Sequence, residues 1–173
     1  MLPLMKQLLA IAAICMTVAA SAQTGGSIDV PSGARMVLEA RGSGVQIYAC
    51  TASDGGAKWV LEGPEAKLLN AEGKPIGTHF AGPTWKLNDG SRVQGTVVAS
   101  RPAAQAGAVP WLLLRANPGT ATGKLADVVY IRRTETEGGG ADASACHTSA
   151  DVGKTVRVPY LATSSFYAAQ SSR

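Results

Sequence analysis

Hydrophobic and polar positions alternate along this chain in short runs that suit β-strands. From Val45 to Thr51, every second residue is apolar, so an extended segment here has one apolar face. Turn residues interrupt such runs roughly every eight to twelve positions. The clearest of these turns are Asp54-Gly55-Gly56 and Asn88-Asp89-Gly90-Ser91. The pattern predicts one all-β domain over residues 34–168, with antiparallel strands linked mostly to their neighbours, as a sandwich or a flattened barrel.

Individual elements follow from the same pattern. Met36-Val37-Leu38 is the first candidate strand, and Arg41-Gly42-Ser43-Gly44 is interpreted as the turn after it. The longest candidate strand runs from Lys124 to Thr134. Residues 23–33 are polar and glycine-rich, which predicts a flexible leader, and residues 169–173 form a short tail.

The first 22 residues have the pattern of a secretory signal. Lys6 supplies a positive start, an apolar run follows from Leu8 to Ala20, and Ala20-Ser21-Ala22 is a small-x-small cleavage pattern. The run is shorter than the ~20 residues that a membrane-spanning helix needs. We therefore predict a cleaved signal helix over residues 1–22, with cleavage at about Ala22, no membrane span, and export to the periplasm or the medium.

The charge pattern does not favour a nucleic-acid partner. There are 16 basic and 12 acidic residues, a net charge of +4, and the basic residues are scattered. Arg132-Arg133 is the only adjacent basic pair after the signal. Nucleic-acid-binding proteins concentrate such charge on one face, so we predict no nucleic acid as partner.

Cys50 and Cys146 are the two cysteines that remain after cleavage. Since an exported protein folds under oxidising conditions, the pair predicts a disulfide. The chain has no CxxC and no HxxxH spacing, so we predict no metal site, and no nucleotide-binding signature indicates a cofactor.

Candidate chemistry centres on the stretch from Gly77 to Trp85, which contains His79. A histidine with a nearby carboxylate is the minimum for general acid–base catalysis. Asp89 or Glu65 could supply that carboxylate, although Asp89 also has a role in its turn. The other interpretation is a ligand pocket, and its candidate lining residues are amphipathic or apolar: His79, Trp85, Trp111 and Tyr130.

The same residues carry a resemblance to a known family. The chain resembles domain-of-unknown-function family 3455, exported proteins of bacteria and fungi, through a series of segments in order. They are Gly44 to Cys50, Trp59, Pro64 to Ala66, Gly77 to Trp85, Asp89 to Ser91, Val109 to Leu114, Tyr130 to Arg133, Gly138-Gly139, Cys146, Val158 to Tyr160 and Phe166-Tyr167. The resemblance implies an exported domain with no established biochemical activity.

Two functions remain open at this point. The first is a non-enzymatic binding or envelope-associated domain, whose partner is a small molecule or an envelope component. The alternative is a small hydrolase or lyase that uses His79 as general base. Without an activated nucleophile or a metal cluster, the first is favoured and no residue is assigned as catalytic.

Overall fold

A computed structural model describes residues 26–119 and 122–170, and it is built almost entirely of strands. The signal predicted for residues 1–22 lies outside these ranges. The prediction of an all-β domain is confirmed, because the regular elements of the described residues are eight strands and two short 3₁₀ turns, Ala143–Ala145 and Ser149–Asp151. The strands are β1 (Ala34–Ser53), β2 (Gly56–Leu69), β3 (Pro75–Phe80), β4 (Thr84–Leu87), β5 (Arg92–Arg101), β6 (Trp111–Ala116), β7 (Val128–Gly138) and β8 (Thr155–Ala169).

The strands form one antiparallel sheet that closes into a ring. Each strand pairs with the next along the chain, and β8 pairs with β1 over most of their length. Neighbour-linked strands are therefore confirmed. Of the two predicted architectures, the structure has a single closed sheet and not a sandwich of two sheets. Because β3 and β4 are short, the ring is uneven in height and is not a regular barrel.

The predicted turn at Arg41-Gly42-Ser43-Gly44 is wrong, because β1 continues through it without a break. Gly44 instead allows close packing of neighbouring strands. A Cβ at Gly44 would lie 2.1 Å from the backbone oxygen of Glu65 in β2, so the two strands approach more closely than a side chain permits. Gly77 of β3 has the same relation to β4, where a Cβ would lie 2.3 Å from the Lys86 oxygen.

The predicted strand from Lys124 to Thr134 starts too early, since β7 begins at Val128. The residues before it are held in a turn by the β4–β5 connection. The Lys124 amide donates to Asp89 Oδ2 (2.9 Å), and the Leu125 amide donates to Ser91 Oγ (3.3 Å). The Leu125 side chain is thereby buried in the hydrophobic core instead of extending a strand.

The interior of the ring has two chemically different halves. One half, which we call the apolar half, is filled by aliphatic and aromatic side chains from six strands and the Leu125 turn: Leu68, Leu87, Val93, Leu114, Leu125, Ile131 and Phe166. The other, the polar half, collects Gln46, Tyr48, His79, Arg133, Thr136 and Tyr160. Trp85 lies between the halves, stacked on His79 and edge-on to Phe166.

The predicted disulfide is confirmed, and it lies at the end of the polar half. Cys50 of β1 is bonded to Cys146, with 5.8 Å between their Cα atoms. Cys146 belongs to the segment between β7 and β8. In the same segment, the backbone oxygen of Asp142 accepts a hydrogen bond from Trp59 Nε1 (2.8 Å). The disulfide therefore ties this segment to the β1–β2 hairpin.

Candidate functional site

His79 and Trp85 are brought together inside the ring. They are directly paired across β3 and β4, and their rings stack with centroids 4.3 Å apart. Trp85 Nε1 donates to Ser164 Oγ (3.3 Å). His79 is only 4% exposed, so this pair lies within the core and not at the mouth of a pocket.

The protonation of His79 follows from its surroundings. Nδ1 lies 2.8 Å from the Thr84 oxygen, and because a carbonyl only accepts, Nδ1 carries the proton. Burial lowers the pKa of His79 to about 4; the hydrogen bond to Thr84 acts in the opposite direction, and the nearby Arg133 charge adds to the lowering. The ring is therefore neutral at neutral pH, with Nε2 as an acceptor.

The two candidate carboxylates are engaged elsewhere. Asp89 Oδ1 accepts from the Ser91 amide (2.9 Å) and hydroxyl (2.6 Å), while Oδ2 accepts from Lys124. These hydrogen bonds, led by the one from Lys124, lower the pKa of Asp89 to about 2. Glu65 pairs with Arg157 at 2.8 Å on the surface. The contacts of the described residues join neither carboxylate to His79.

Around His79, the polar half contains residues that sequence reasoning missed. Arg133 donates from Nε (3.2 Å) and Nη2 (2.8 Å) to the Pro110 oxygen, and Tyr48 donates to the Gly139 oxygen (2.7 Å). Burial raises the pKa of Tyr160 to about 12, against an opposing effect of the Arg133 charge. The sequence pattern indicated these inward-facing residues only weakly. Gln46 and Tyr48 share one face of β1 with Cys50, and in the structure that face points inward.

Gln46 is the most unusual member of the polar half. Its side chain is 1% exposed, and neither the amide nitrogen nor the amide oxygen has a hydrogen-bond partner among the described residues. Buried polar groups are nearly always paired, so an unpaired amide is a cost to the folded state.

Trp111 and Tyr130 lie apart from His79, on the outer face of the sheet. Each packs under an arginine of the neighbouring strand: Arg101 lies 5.1 Å from the Trp111 ring centre, and Arg115 lies 5.9 Å from that of Tyr130. A third pair, Arg132 over Tyr167 at 5.8 Å, adjoins them, because Tyr130 and Tyr167 are directly paired across β7 and β8. We call these three pairs the Arg–aromatic face.

The charges on this face are incompletely paired. Within the described part of the chain, the arginines of the three pairs form no ion pair. The nearby carboxylates accept from hydroxyls instead, Glu39 from Ser165 (2.9 Å) and Glu135 from Thr163 (2.7 Å). A surface groove of about 480 Å³ continues from Arg115 and Tyr130 along residues 31–34 and 116–119.

Other site types find no support in the described residues. No group of three or more histidine, cysteine, aspartate or glutamate side chains is placed to hold a metal ion in residues 26–119 and 122–170. Over the same ranges, no helix has the length and apolar character to span a membrane.

Comparison with known proteins gives a family but no activity. The family model described as "Protein of unknown function (DUF3455)" matches residues 31–168. Neither a curated protein nor a solved structure matches the chain.

Proposed function

Since this chain belongs to the DUF3455 family, whose function is unknown, we propose its function from its own geometry. We propose an exported, non-enzymatic binding domain whose Arg–aromatic face holds an extended acidic polysaccharide of the cell envelope. The observation that carries the proposal is the set of three arginines that lie over aromatic rings and lack ion-pair partners within the described chain.

Stacking on an aromatic ring prepares an arginine for binding. Contact with a ring restrains the guanidinium and leaves N–H groups that can meet a carboxylate, although Arg132 Nε itself is buried. Because the side chains are already held in place, less conformational entropy is lost when a ligand binds. Arg101 and Arg115 are exposed, and Arg132 is half-buried.

The spacing of the arginines favours an extended partner. Trp111 and Arg115 are four residues apart on β6, which corresponds to roughly 13 Å along a strand. No small anion covers that distance, so only a polymer can contact Arg101 and Arg115 at the same time.

The composition of the face favours a polysaccharide over a nucleic acid or a membrane. Glu39 and Glu135 are interspersed with the arginines, and these carboxylates would repel the dense phosphates of DNA, with one charge per ~1.7 Å. The same carboxylates, with Thr134 and Thr163, offer acceptors and donors for sugar hydroxyls. A polymer with widely spaced carboxylates matches this mixture of groups.

Export is part of the proposal and rests on two observations. The leader pattern of residues 1–22 is that of a secretory signal, and the Cys50–Cys146 disulfide is compatible with an oxidising compartment.

The hydrolase or lyase alternative has less support. His79 is buried, its Nδ1–H is committed to Thr84, and the carboxylates proposed to steer it make other contacts. A general base needs access to its substrate and a pKa near the working pH, and a pKa of about 4 makes His79 a weak base at neutral pH.

The test is a binding titration with polygalacturonate, which carries one carboxylate per sugar, against neutral dextran as a comparison. We expect calorimetry to detect binding of polygalacturonate only, weakened as salt rises. The double variant Arg115→Gln/Arg132→Gln should lose about tenfold in affinity, since one exposed and one half-buried charge contact together contribute roughly 1.4 kcal/mol.

The matched control is Arg157→Gln, which removes an exposed arginine that pairs with Glu65 away from the face. It should bind as tightly as the wild type. Equal losses in both variants, no binding of polygalacturonate, or tighter binding of DNA or anionic vesicles would contradict the proposal.

A further inference from the structure

A second concave site lies at the opposite end of the ring from the disulfide, at the mouth of the apolar half. It is a cleft of about 230 Å³ whose floor is aliphatic, formed by Leu38, Ile76 and Leu87. The rim is polar and consists of Asn70, Asn88, Asp89 and Lys124. An apolar floor with a few polar groups at the mouth of a β-barrel is the usual form of a small-molecule site.

The hydrogen bonds of the rim fix which atoms remain available. Asn70 Oδ1 accepts from the Lys74 amide (2.8 Å), so its Nδ2 is left as a donor. Asn88 Nδ2 donates to the Pro75 oxygen (3.2 Å). The Lys124 ammonium forms no ion pair within the described chain, and adds a second, charged donor.

The one carboxylate of the rim is already satisfied. Asp89 accepts three hydrogen bonds, two from Ser91 and one from the Lys124 amide. These contacts hold the turn that carries Lys124 and build the wall of the cleft. The donors left to meet a ligand are Asn70 Nδ2 and the Lys124 ammonium, whose charge also acts on Asp89, and Asn88 Oδ1 remains as an acceptor.

We propose that this cleft binds a small monocarboxylate with an apolar body, its carboxylate at Lys124 Nζ and Asn70 Nδ2 and its hydrocarbon part on Leu38, Ile76 and Leu87. This site is separate from the Arg–aromatic face, and the proposal does not depend on polysaccharide binding. A volume of about 230 Å³ equals that of roughly eight water molecules, which limits the ligand to about eight to ten non-hydrogen atoms.

Hexanoate is a suitable probe, because it has an aliphatic body and a single carboxylate. Titration of methyl-labelled protein should shift the NMR signals of Leu38, Ile76 and Leu87, with a Kd of about 1 mM for a ligand of this size. Hexanamide should bind more weakly and hexylamine should not bind, because the rim offers donors to a negative group.

Two variants test the rim. Lys124→Gln should weaken hexanoate binding about fivefold, the value of an exposed charge pair. Asn70→Asp keeps the acceptor for the Lys74 amide while replacing the free donor by a negative charge, and it should weaken binding at least as much. The control Lys67→Gln removes an exposed lysine of β2 outside the cleft and should leave affinity unchanged.

Circular dichroism and thermal unfolding of each variant show whether it is folded. The proposal is overturned if hexanoate shifts none of the three floor residues, if hexylamine binds as well as hexanoate, or if folded Lys124→Gln and Asn70→Asp both retain wild-type affinity. Shifts of the backbone amide signals of Trp111 or Tyr130, followed in amide-labelled protein, would place the carboxylate on the Arg–aromatic face and would equally overturn the proposal, whatever the outcome with polygalacturonate.

Discussion

The two halves of the ring interior share the same strands but are stabilised by different interactions. In the apolar half, Phe166, Ile131 and Leu68 are completely buried, and their packing removes apolar surface from water. In the polar half, Gln46 and His79 are buried almost as fully, but polar groups replace much of the hydrocarbon. At these positions burial is similar, while its effect on stability differs.

The difference explains where the covalent bond lies. Fully burying a large apolar side chain contributes about 1.5–3 kcal/mol, whereas a typical intramolecular hydrogen bond contributes a net 0.5–1.5 kcal/mol. An interior held by the hydrogen bonds of Arg133, Tyr48 and Thr136 therefore gains less stabilising free energy from the same buried volume. The Cys50–Cys146 bond reinforces the end of the ring that packing stabilises least.

The largest expected effect comes from breaking that bond. The double variant Cys50→Ser/Cys146→Ser should lose about 4 kcal/mol of unfolding free energy, since the bond joins residues 96 apart in sequence. Hydrogen exchange should accelerate first around Tyr48 and Gly139, while amides of Ile131 and Phe166 stay protected. Denaturant unfolding and hydrogen exchange measure the two effects.

The control for this variant is the wild type under reducing conditions, which should give the same profile. Equal loss of hydrogen-exchange protection in both halves would show that they unfold together, and it would contradict the proposed difference in stability between them.

The fold was largely predictable from the pattern of the sequence, and the reasons lie in local chemistry. Alternation and turn residues such as Asn88-Asp89-Gly90 act within a few positions, so strands and their antiparallel order could be inferred. Gly44 was misassigned to a turn, because a glycine required for close approach of two strands has the same sequence signal as one required by a turn.

The candidate sites were much less predictable, since they depend on contacts between distant strands. Trp111 and Tyr130 were singled out, but their pairing with Arg101 and Arg115 follows from sheet register. The cleft residues Leu38 and Ile76 look like ordinary strand residues in the sequence. No local pattern shows that they end at the mouth of the ring.

A pH change should affect the polar half specifically through His79. The folded state lowers the pKa of this ring from 6.5 to about 4, so the unfolded chain binds a proton more readily between these values. Stability from this group is present above pH ~6.5 and is lost as the pH falls towards 4, by up to about 3 kcal/mol. Urea unfolding at several pH values measures the slope.

The variant His79→Gln should flatten this slope between pH 6.5 and 4, whatever its own stability at neutral pH. His147 is exposed and lies near Asp151, so His147→Gln serves as the matched control and should keep the wild-type slope. A wild-type slope in His79→Gln would show that other groups dominate the pH dependence.

The smallest expected effect is a gain in stability, and it addresses the cost of polarity in this half directly. Gln46→Leu replaces a buried amide, unpaired among the described residues, with an apolar side chain of similar size. Because an unsatisfied buried polar group costs about 1–3 kcal/mol, the variant should be more stable by about 1–2 kcal/mol in urea unfolding. The exposed Gln105→Leu should change stability by no more than about 0.5 kcal/mol. If Gln46→Leu instead destabilises the protein, the amide has a favourable contact in the folded state, and the polar half is better satisfied than its hydrogen bonds indicate.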